Sequence, residues 1–493
     1  MIALRILFEL AGLISGAAIL VFGLAQGWLA FLYWRSKQPN SGMEIPVPWS
    51  GPYPTVMIQL PIFNEQYVVE RLLRNVAKMD YPADRLSIQL LDDSDDQTSM
   101  IAARVIAELQ QAGHNITHVQ RPDRVGFKAG ALEYGMGLDD AEFIAIFDAD
   151  FLPRPDFVKQ VLAYFADAKV GMVQTRWEHL NADYSLITRL MAFAIDNHFS
   201  VEHGGRQASN GFINFNGTGG MWRRKTIEAA GGWRSDTLTE DLDLSFRSQI
   251  LGWKFIFAEN ITTPSELPVQ MSAVRSQQFR WTKGAAETGR KTLYNLWFSP
   301  APISTKVMGS FHMLNSFIFL FLFVFGVSTA ALPFLGGSHF TLIAAILNAM
   351  IISSMFATLF TYWTSRRSGD FEKTHSSTSL ITTTLTFTAL ATGLCMHCSR
   401  AVLQGLFGQA TPFVRTPKLN VTAETTHVET MRAYNVTHVP LVVYMEAVLA
   451  ILFIGLIIFS LGSSAIMFTG IYIFYAVGFA MVSVLSFREA RFG

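Results

Sequence analysis

The chain has 493 residues, half of them hydrophobic, and only 15% are charged, where a soluble domain carries about 25%. That deficit, with 40 Phe and a positive mean hydropathy, points to lipid contact. A formal net charge of zero gives no global attraction to a polyanion, so no nucleic-acid partner is expected, and two cysteines exclude a disulfide framework.

Residues 7–34 form the first element. They are long enough to span a bilayer, with Glu9 as their single charge. A signal peptide fits poorly, because the apolar run is too long and no small-x-small cleavage site follows. Residues 1–39 are therefore expected to be an N-terminal transmembrane helix.

Residues 40–300 hold most of the acidic side chains. Strands are expected at 55–60, 87–91, 116–120, 143–147 and 170–175, with amphipathic helices between them. In one helix Val68, Val69, Leu72, Leu73 and Val76 share a face. Strand–helix alternation predicts a mostly parallel α/β sheet, which binds nucleotides at the carboxyl ends of its strands.

Residues 301–493 contain four strong spans, about 307–335, 340–363, 442–462 and 466–487. A fifth apolar stretch, 380–406, is Thr-rich near its start and carries His397, Arg400 and Gln404. If residues 40–300 are cytosolic, Arg366, Arg367 and Lys373 fall inside, as positive charge prefers. If 380–406 lies in the interface without crossing, Arg415, Lys418, Arg432, Arg488 and Arg491 also fall inside. An interfacial helix is therefore expected at 380–406. Arg5, which falls outside, opposes this arrangement mildly. Its Cys395-x-x-Cys398 spacing supplies half of a zinc site at best, and otherwise suits small residues on a packed helix.

Four motifs carry chemistry. Asp148 and Asp150 follow the apolar strand FIAIF, and residues two apart on an extended segment face the same way. Such a pair can hold Mg²⁺ or Mn²⁺ against a diphosphate; by itself it is equally a solvated turn. Asp92 and Asp93 end the strand SIQLL and can accept hydrogen bonds from a nucleobase or ribose, or simply form a turn. Thr239, Glu240 and Asp241 open an amphipathic helix that Thr239 can cap. Acidic residues suit a helix's first turn, and Asp241 also suits a general base. Gln277, Arg280 and Trp281 lie on one helical stretch. Arg can grip a diphosphate and Trp can stack on a sugar ring, though the stretch also reads as a basic helix on a membrane surface.

In this order, D-D, D-x-D, T-E-D and Q-x-x-R-W resemble the processive family 2 glycosyltransferases, which include cellulose, chitin and hyaluronan synthases. Further matches are QLPIFNE at 59–65, RVGFKAGAL at 124–132 and FNGTGGMWRR at 215–224. The chain is similar in particular to cellulose synthase-like A glucan and mannan synthases. The resemblance implies an α/β GT-A-type glycosyltransferase domain plus a multi-span α-helical membrane domain. It implies Asp241 as base, with Glu240 and Trp281 on the acceptor side. Asp92, Lys128, Asp148, Gln277 and Arg280 would hold the donor, and Asp148 and Asp150 the metal. Residues 395–418 look like an interfacial helix and gating loop, with the loop at 413–418 and Thr416 and Lys418 reaching the donor. Arg415 and Pro417 depart from the usual loop pattern, and one span precedes the catalytic block where bacterial cellulose synthase has more.

The implied activity is inverting polymerisation of a β-linked glucan or glucomannan from UDP-glucose or GDP-mannose, with chain translocation. A single-transfer glycolipid synthase remains open, as does a transporter with a non-catalytic nucleotide-binding domain, which intact Asp241 and the metal pair oppose. The expected partners are a nucleotide-sugar donor, a glycan or lipid acceptor and membrane lipids. The expected location is an integral membrane protein with a cytosolic catalytic domain, in the plasma membrane or a bacterial inner membrane.

Overall fold

The computed structural model describes residues 1–38, 48–367, 379–409, 411, 418–421 and 439–492. Helix α1 (Ile2–Ser36) leads into a seven-stranded sheet. In chain order, β1 (Val56–Ile62), α2 (Val69–Val76), β2 (Leu86–Asp92), α3 (Thr98–Gln111), β3 (Ile116–Gln120), α4 (Phe127–Met136) and β4 (Phe143–Ile146) form the nucleotide-type half. Then come α5 (Phe157–Leu162), β5 (Val170–His179), α6 (Leu186–Asn197), α7 (Gly204–Ala208), β6 (Gly220–Arg223), α8 (Arg224–Ala229), α9 (Glu240–Ile250), β7 (Lys254–Ser265) and α10 (Met271–Trp297). A π-helical turn, His198–His203, joins α6 to α7.

The strand order is β3-β2-β1-β4-β6-β5-β7. Strands β1 to β4 are parallel, β6 is antiparallel to both β4 and β5, and β5 and β7 are parallel. Strand β1 lies inside the sheet, with apolar side chains on both faces. Ile58 and Leu60 enter one core and Met57 the other, all fully buried. Burying each such side chain contributes about 1.5–3 kcal/mol.

All five expected strands are present, with β5 extending to His179. Strands β6 and β7 were not expected. The first is four residues long and emerges from a glycine-rich stretch that reads as a loop, while the second carries polar residues throughout. The sheet is mostly parallel, as expected, with β6 alone among the described strands running against the others.

The remaining helices are α11 (Ile303–Met313), α12 (Ile318–Leu335), α13 (Phe340–Arg367), α14 (Leu380–Gly393), α15 (Cys395–Leu406), α16 (Leu441–Ser460) and α17 (Thr469–Phe492). Among the described residues five helices are long and apolar enough to cross a membrane: Ile2–Ser36, Asn315–Leu335, Phe340–Arg367, Leu441–Ser460 and Ser464–Ala490. The span expected at 307–335 thus begins at Asn315, and α11 is a separate helix broken from it at Leu314.

The stretch 380–406, expected as one helix, is two, bent by 53°. The bend sits where Gly393 meets Gly478 of α17. A Cβ on Gly393 would lie 2.2 Å from the Gly478 carbonyl oxygen, so only glycine permits this crossing. Helix α14 therefore packs on spanning helix α17, and α15 packs on α10 of the catalytic block.

Helix α1 is also tied to the catalytic block. Tyr33 donates a hydrogen bond to Glu259 in β7, Lys37 Nζ lies 2.7 Å from the same carboxylate, and Gln26 Nε2 donates to Glu202 at 3.0 Å. In the membrane region, the buried Arg275 of α10 pairs with the buried Glu446 of α16.

Candidate active site

A cleft opens at the carboxyl ends of β1, β2 and β4, as expected for such a sheet. Lys128, Asp148, Asp150, Glu240, Asp241, Gln277, Arg280, Trp281 and Lys418 all line it. Nine residues singled out from sequence, spread from 128 to 418, therefore meet in one place.

Asp148 and Asp150 follow β4 directly. Lys128, at the start of α4, donates to Asp148 Oδ1 at 2.5 Å and to the Gly217 carbonyl at 2.9 Å. Burial alone would lower the Lys128 pKa, but Asp148, Glu240 and Asp241 together raise it, so the ammonium stays charged. Asp150 is buried. Its Oδ2 accepts from the Glu266 backbone N–H and from Lys418 Nζ, whereas Oδ1 is buried with no hydrogen-bond partner among the described residues.

That orphaned oxygen, beside a second carboxylate two residues away, tests the site for a cation. Mg²⁺ and Mn²⁺ bind through one or two carboxylates and complete their shell with phosphate and water. Among the described residues no cluster of three or more His, Cys, Asp or Glu could hold a metal unaided. Two hard oxygen donors at the mouth of a nucleotide cleft suit a shared metal–diphosphate site and not a self-contained one.

Glu240 and Asp241 open α9. Thr239 holds the N-cap position, but its side chain makes no capping bond; it packs against Gly284 and Thr288 of α10. The expected cap is thus replaced by a helix–helix contact. Asp241 Oδ1 accepts from the Leu242 backbone N–H at 2.8 Å. Burial first, and the neighbouring Glu240 second, push the Asp241 carboxyl up to about 7. Gly217, at φ +83°, lets Asp241 and Lys128 approach from two sides. A Cβ there would lie 3.1 Å from Asp241 Oδ2 and 3.5 Å from Lys128 Nζ.

Helix α10 supplies the far wall. Burial lowers the Arg280 pKa below its usual value, with Asp148 and Glu240 opposing the shift. The Gln277 Oε1 atom is buried with no hydrogen-bond partner among the described residues. Trp281 is 37% exposed and presents its ring at the cleft.

Two expectations fare differently. Asp92 does not line the cleft. It is fully engaged behind the wall, by the Ser94 N–H at 2.9 Å, Ser99 Oγ at 2.6 Å and His118 Nε2 at 2.8 Å. Burial would raise its pKa, but these hydrogen bonds outweigh burial and hold it low. Its neighbour Asp93 lines the cleft instead, gripped by both Arg121 Nε and Nη2. Thr416 and residues 413–417 of the expected gating loop lie outside the described residues, whereas Lys418 is described and reaches Asp150.

Sequence reasoning assigned no role to Phe63 and Arg124, yet both line the cleft, with the guanidinium carbon 3.2 Å from the ring centroid. Both lie in stretches already matched to the family, QLPIFNE and RVGFKAGAL, so the signal was present without its chemistry.

The profile of "Glycosyltransferase like family 2" matches residues 54–284. A "Probable glucomannan 4-beta-mannosyltransferase 15" from Arabidopsis thaliana is 37% identical over 273 residues, covering 54% of this chain and 50% of the relative. "Glucomannan 4-beta-mannosyltransferase 1" from Oryza sativa subsp. japonica is 40% identical over 249 residues, covering 50% and 48%. The chain spans about half the length of the curated relatives it matches. Among solved structures, the mannosyltransferase PcManGT from Pyrobaculum calidifontis, in complex with GDP-Man and Mn²⁺, superposes with a TM-score of 0.53. It is 21% identical and covers 75% of this chain and 100% of that one. That likeness shows a GT-A-type fold. Residues 54–284, just under half of the chain, match glycosyltransferase-like family 2.

Proposed function

We propose that this protein is an inverting hexosyltransferase that extends a β-linked glucan or glucomannan from UDP-glucose or GDP-mannose and passes the chain across the membrane. The observation that carries this reading is Asp241, a carboxyl raised to about 7 in the same cleft as the Asp148–Asp150 pair, Arg280 and Trp281. A carboxylate poised near neutrality is suited to accept a proton, and it is matched to a site that suits a diphosphate. The curated relatives are named for glucomannan 4-β-mannosyl transfer, which favours GDP-mannose as donor.

In this reading Asp241 removes the proton from an acceptor hydroxyl held against Trp281. The freed oxygen attacks the anomeric carbon, and the bond from that carbon to the diphosphate oxygen breaks. One carboxylate suffices for this single displacement, which inverts the anomeric centre. Arg280 and Lys128 lie where negative charge gathers on the leaving nucleoside diphosphate. Asp148 and Asp150 would hold Mg²⁺ or Mn²⁺, which when bound supplies further positive charge to the diphosphate. Phe63 and Arg124 form the face on which the nucleobase stacks.

The catalytic block faces the cytosol in this reading, where nucleotide sugars are made, with membrane lipids around the five spans. The basic residues Arg366 and Arg367 at the end of α13 support this orientation. The test incubates purified protein in liposomes with labelled GDP-mannose or UDP-glucose and Mn²⁺ or Mg²⁺. High-mass label, insoluble in organic solvent and cleaved by a β-mannanase or β-glucanase, is expected. Label confined to a chloroform-soluble lipid bearing one sugar would overturn polymerisation in favour of glycolipid synthesis.

A further inference from the structure

Away from the catalytic cleft, a crevice of about 530 Å³ separates α1 from α11. Its walls are Val21, Leu24 and Trp28 of α1, and Ile303, Val307 and Phe311 of α11, all exposed on the described structure. This volume is in the range of ordinary small-molecule sites. Its floor is polar. Arg206 and His312 are 3% and 9% exposed, and Gln26 lies beside them.

Each of these three residues offers a buried atom with no hydrogen-bond partner among the described residues: Arg206 Nη1, His312 Nδ1 and Gln26 Oε1. An unmet buried polar atom is costly, so three around one cavity call for an occupant. Arg206 Nη2 donates to Glu202 Oε2 at 2.9 Å and Gln26 Nε2 donates to Glu202 Oε1 at 3.0 Å, so Glu202 holds both side chains at the crevice floor.

Charge selects the ligand class. Burial opposes ionisation of Glu202, but Arg206 and His198 outweigh it and keep the carboxylate charged. The Arg206 charge is thus already matched. Burial and the nearby cations hold His312 far below its usual pKa, hence neutral. The floor therefore has no net charge to attract a phosphate, but it offers both a donor, Arg206 Nη1–H, and an acceptor, Gln26 Oε1. A hydroxyl group satisfies both. Gln26 lies ten residues, or about 15 Å, from the end of α1 at Ser36, within the apolar length of that helix. Exposed apolar walls on a helix apolar enough to cross a membrane make lipid the amphiphile at hand.

We propose that this crevice binds a membrane lipid with an uncharged, hydroxyl-bearing headgroup, its hydroxyl on Arg206 and Gln26 and an acyl chain between α1 and α11. The site is separate from the transfer reaction and stands or falls without it. It adjoins the reaction physically, however. Glu202 Oε2 bonds His198 Nδ1 at 3.0 Å, and His198 Nε2 lies 2.7 Å from Asn216 Nδ2. Asn216 lines the catalytic cleft and precedes Gly217, the residue that holds Lys128. These links run through the π-helical turn His198–His203, a geometry often kept at functional positions.

The test uses full-length protein in phosphatidylcholine nanodiscs doped with a photoactivatable diacylglycerol, with crosslinks mapped by peptide mass spectrometry. Label is expected on residues 21–29 and 303–312. Excess unlabelled diacylglycerol or monoglucosyl diacylglycerol should compete, and the stronger of the two identifies the headgroup; phosphatidic acid should not compete. Gln26→Leu should reduce labelling about fivefold. Val307→Trp, which fills the crevice, should remove it while nucleotide binding persists as evidence of folding. Label spread evenly over α12, α13 and α16, equal competition by phosphatidic acid, or no crosslink above bulk would each overturn the proposal. The wild-type competition decides the matter even if both variants misfold. No turnover is needed for any readout, so failure here is distinct from failure of the proposed glycan synthesis.

Discussion

Lys418 Nζ stands 2.7 Å from Asp150 Oδ2, joining a residue after the last catalytic helix to the strand end that carries the D-x-D pair, 268 positions earlier in the chain. Asp150 is 1% exposed, and its carboxylate would be costly to bury without that ammonium. Arg71 tethers the same segment, donating to Asn420 at 2.6 Å and to Glu266 at 2.5 Å.

This pairing makes Lys418 a competitor for the proposed metal. Lys418→Ala should tighten Mn²⁺ binding to donor-free protein about tenfold, the worth of one charge-assisted bond, while lowering transfer. Titration followed by electron paramagnetic resonance measures the first effect. Unchanged or weaker Mn²⁺ binding would show that the ammonium does not stand in the metal's place.

Asp148→Ala and Asp150→Ala should each lose donor binding and turnover together. Excess chelator should silence the wild type, with Mg²⁺ or Mn²⁺ restoring it. Calorimetry with the nucleoside diphosphate, with and without metal, is the measurement. Full activity in chelator would sink the metal assignment.

Asp241→Asn should reduce turnover by about 10²–10⁴-fold while leaving donor affinity largely intact. In the wild type, kcat/KM should fall with decreasing pH below about 7, because the protonated carboxyl cannot accept the acceptor's proton. Stability has the opposite sign. A carboxyl whose folded pKa is raised contributes stability below its unfolded pKa and loses it as pH rises through about 7. Asp241→Asn, which does not titrate, should therefore melt at a higher temperature than the wild type at pH 8, with the gap closing towards pH 4. A variant that is destabilised at pH 8 would refute the burial argument.

Trp281→Ala should shorten or abolish polymer while sparing slow donor hydrolysis. The ring is partly exposed at the cleft, where an aromatic face grips successive sugars without demanding one register of hydrogen bonds. Product sizing alongside release of free nucleoside diphosphate separates the two effects. Equal loss of both would move Trp281 to the donor side.

A cysteine introduced at Thr416 should be labelled by an impermeant reagent only from the cytosolic side. Cys395 and Cys398 are fully buried, so their contribution to the signal should be small, and a variant lacking both fixes the background. Labelling from outside would reverse the proposed orientation.

Elements whose cause is local can be read from the chain's own pattern. Apolar runs such as 441–460 leave a bilayer as their only comfortable surroundings, and the period-two and 3.6 patterns set β1 to β5 and α2. Motif chemistry and the family resemblance together named nine residues that line the cleft. Tertiary structure decided what depends on partners far along the chain. Strand β6 is held by Gly220–Arg223 pairing with both β4 and β5, which no four-residue pattern announces. Between adjacent Asp92 and Asp93, only the packing of Ser94, Ser99 and His118 around the first leaves the second to the cleft. The close crossing of α14 and α17 is possible because Gly393 meets Gly478, and the pKa of Asp241 is high because folding buries it beside Glu240. Local pattern specifies what a segment can bury; which charge faces which, and at what distance, is fixed only when distant segments share one interior.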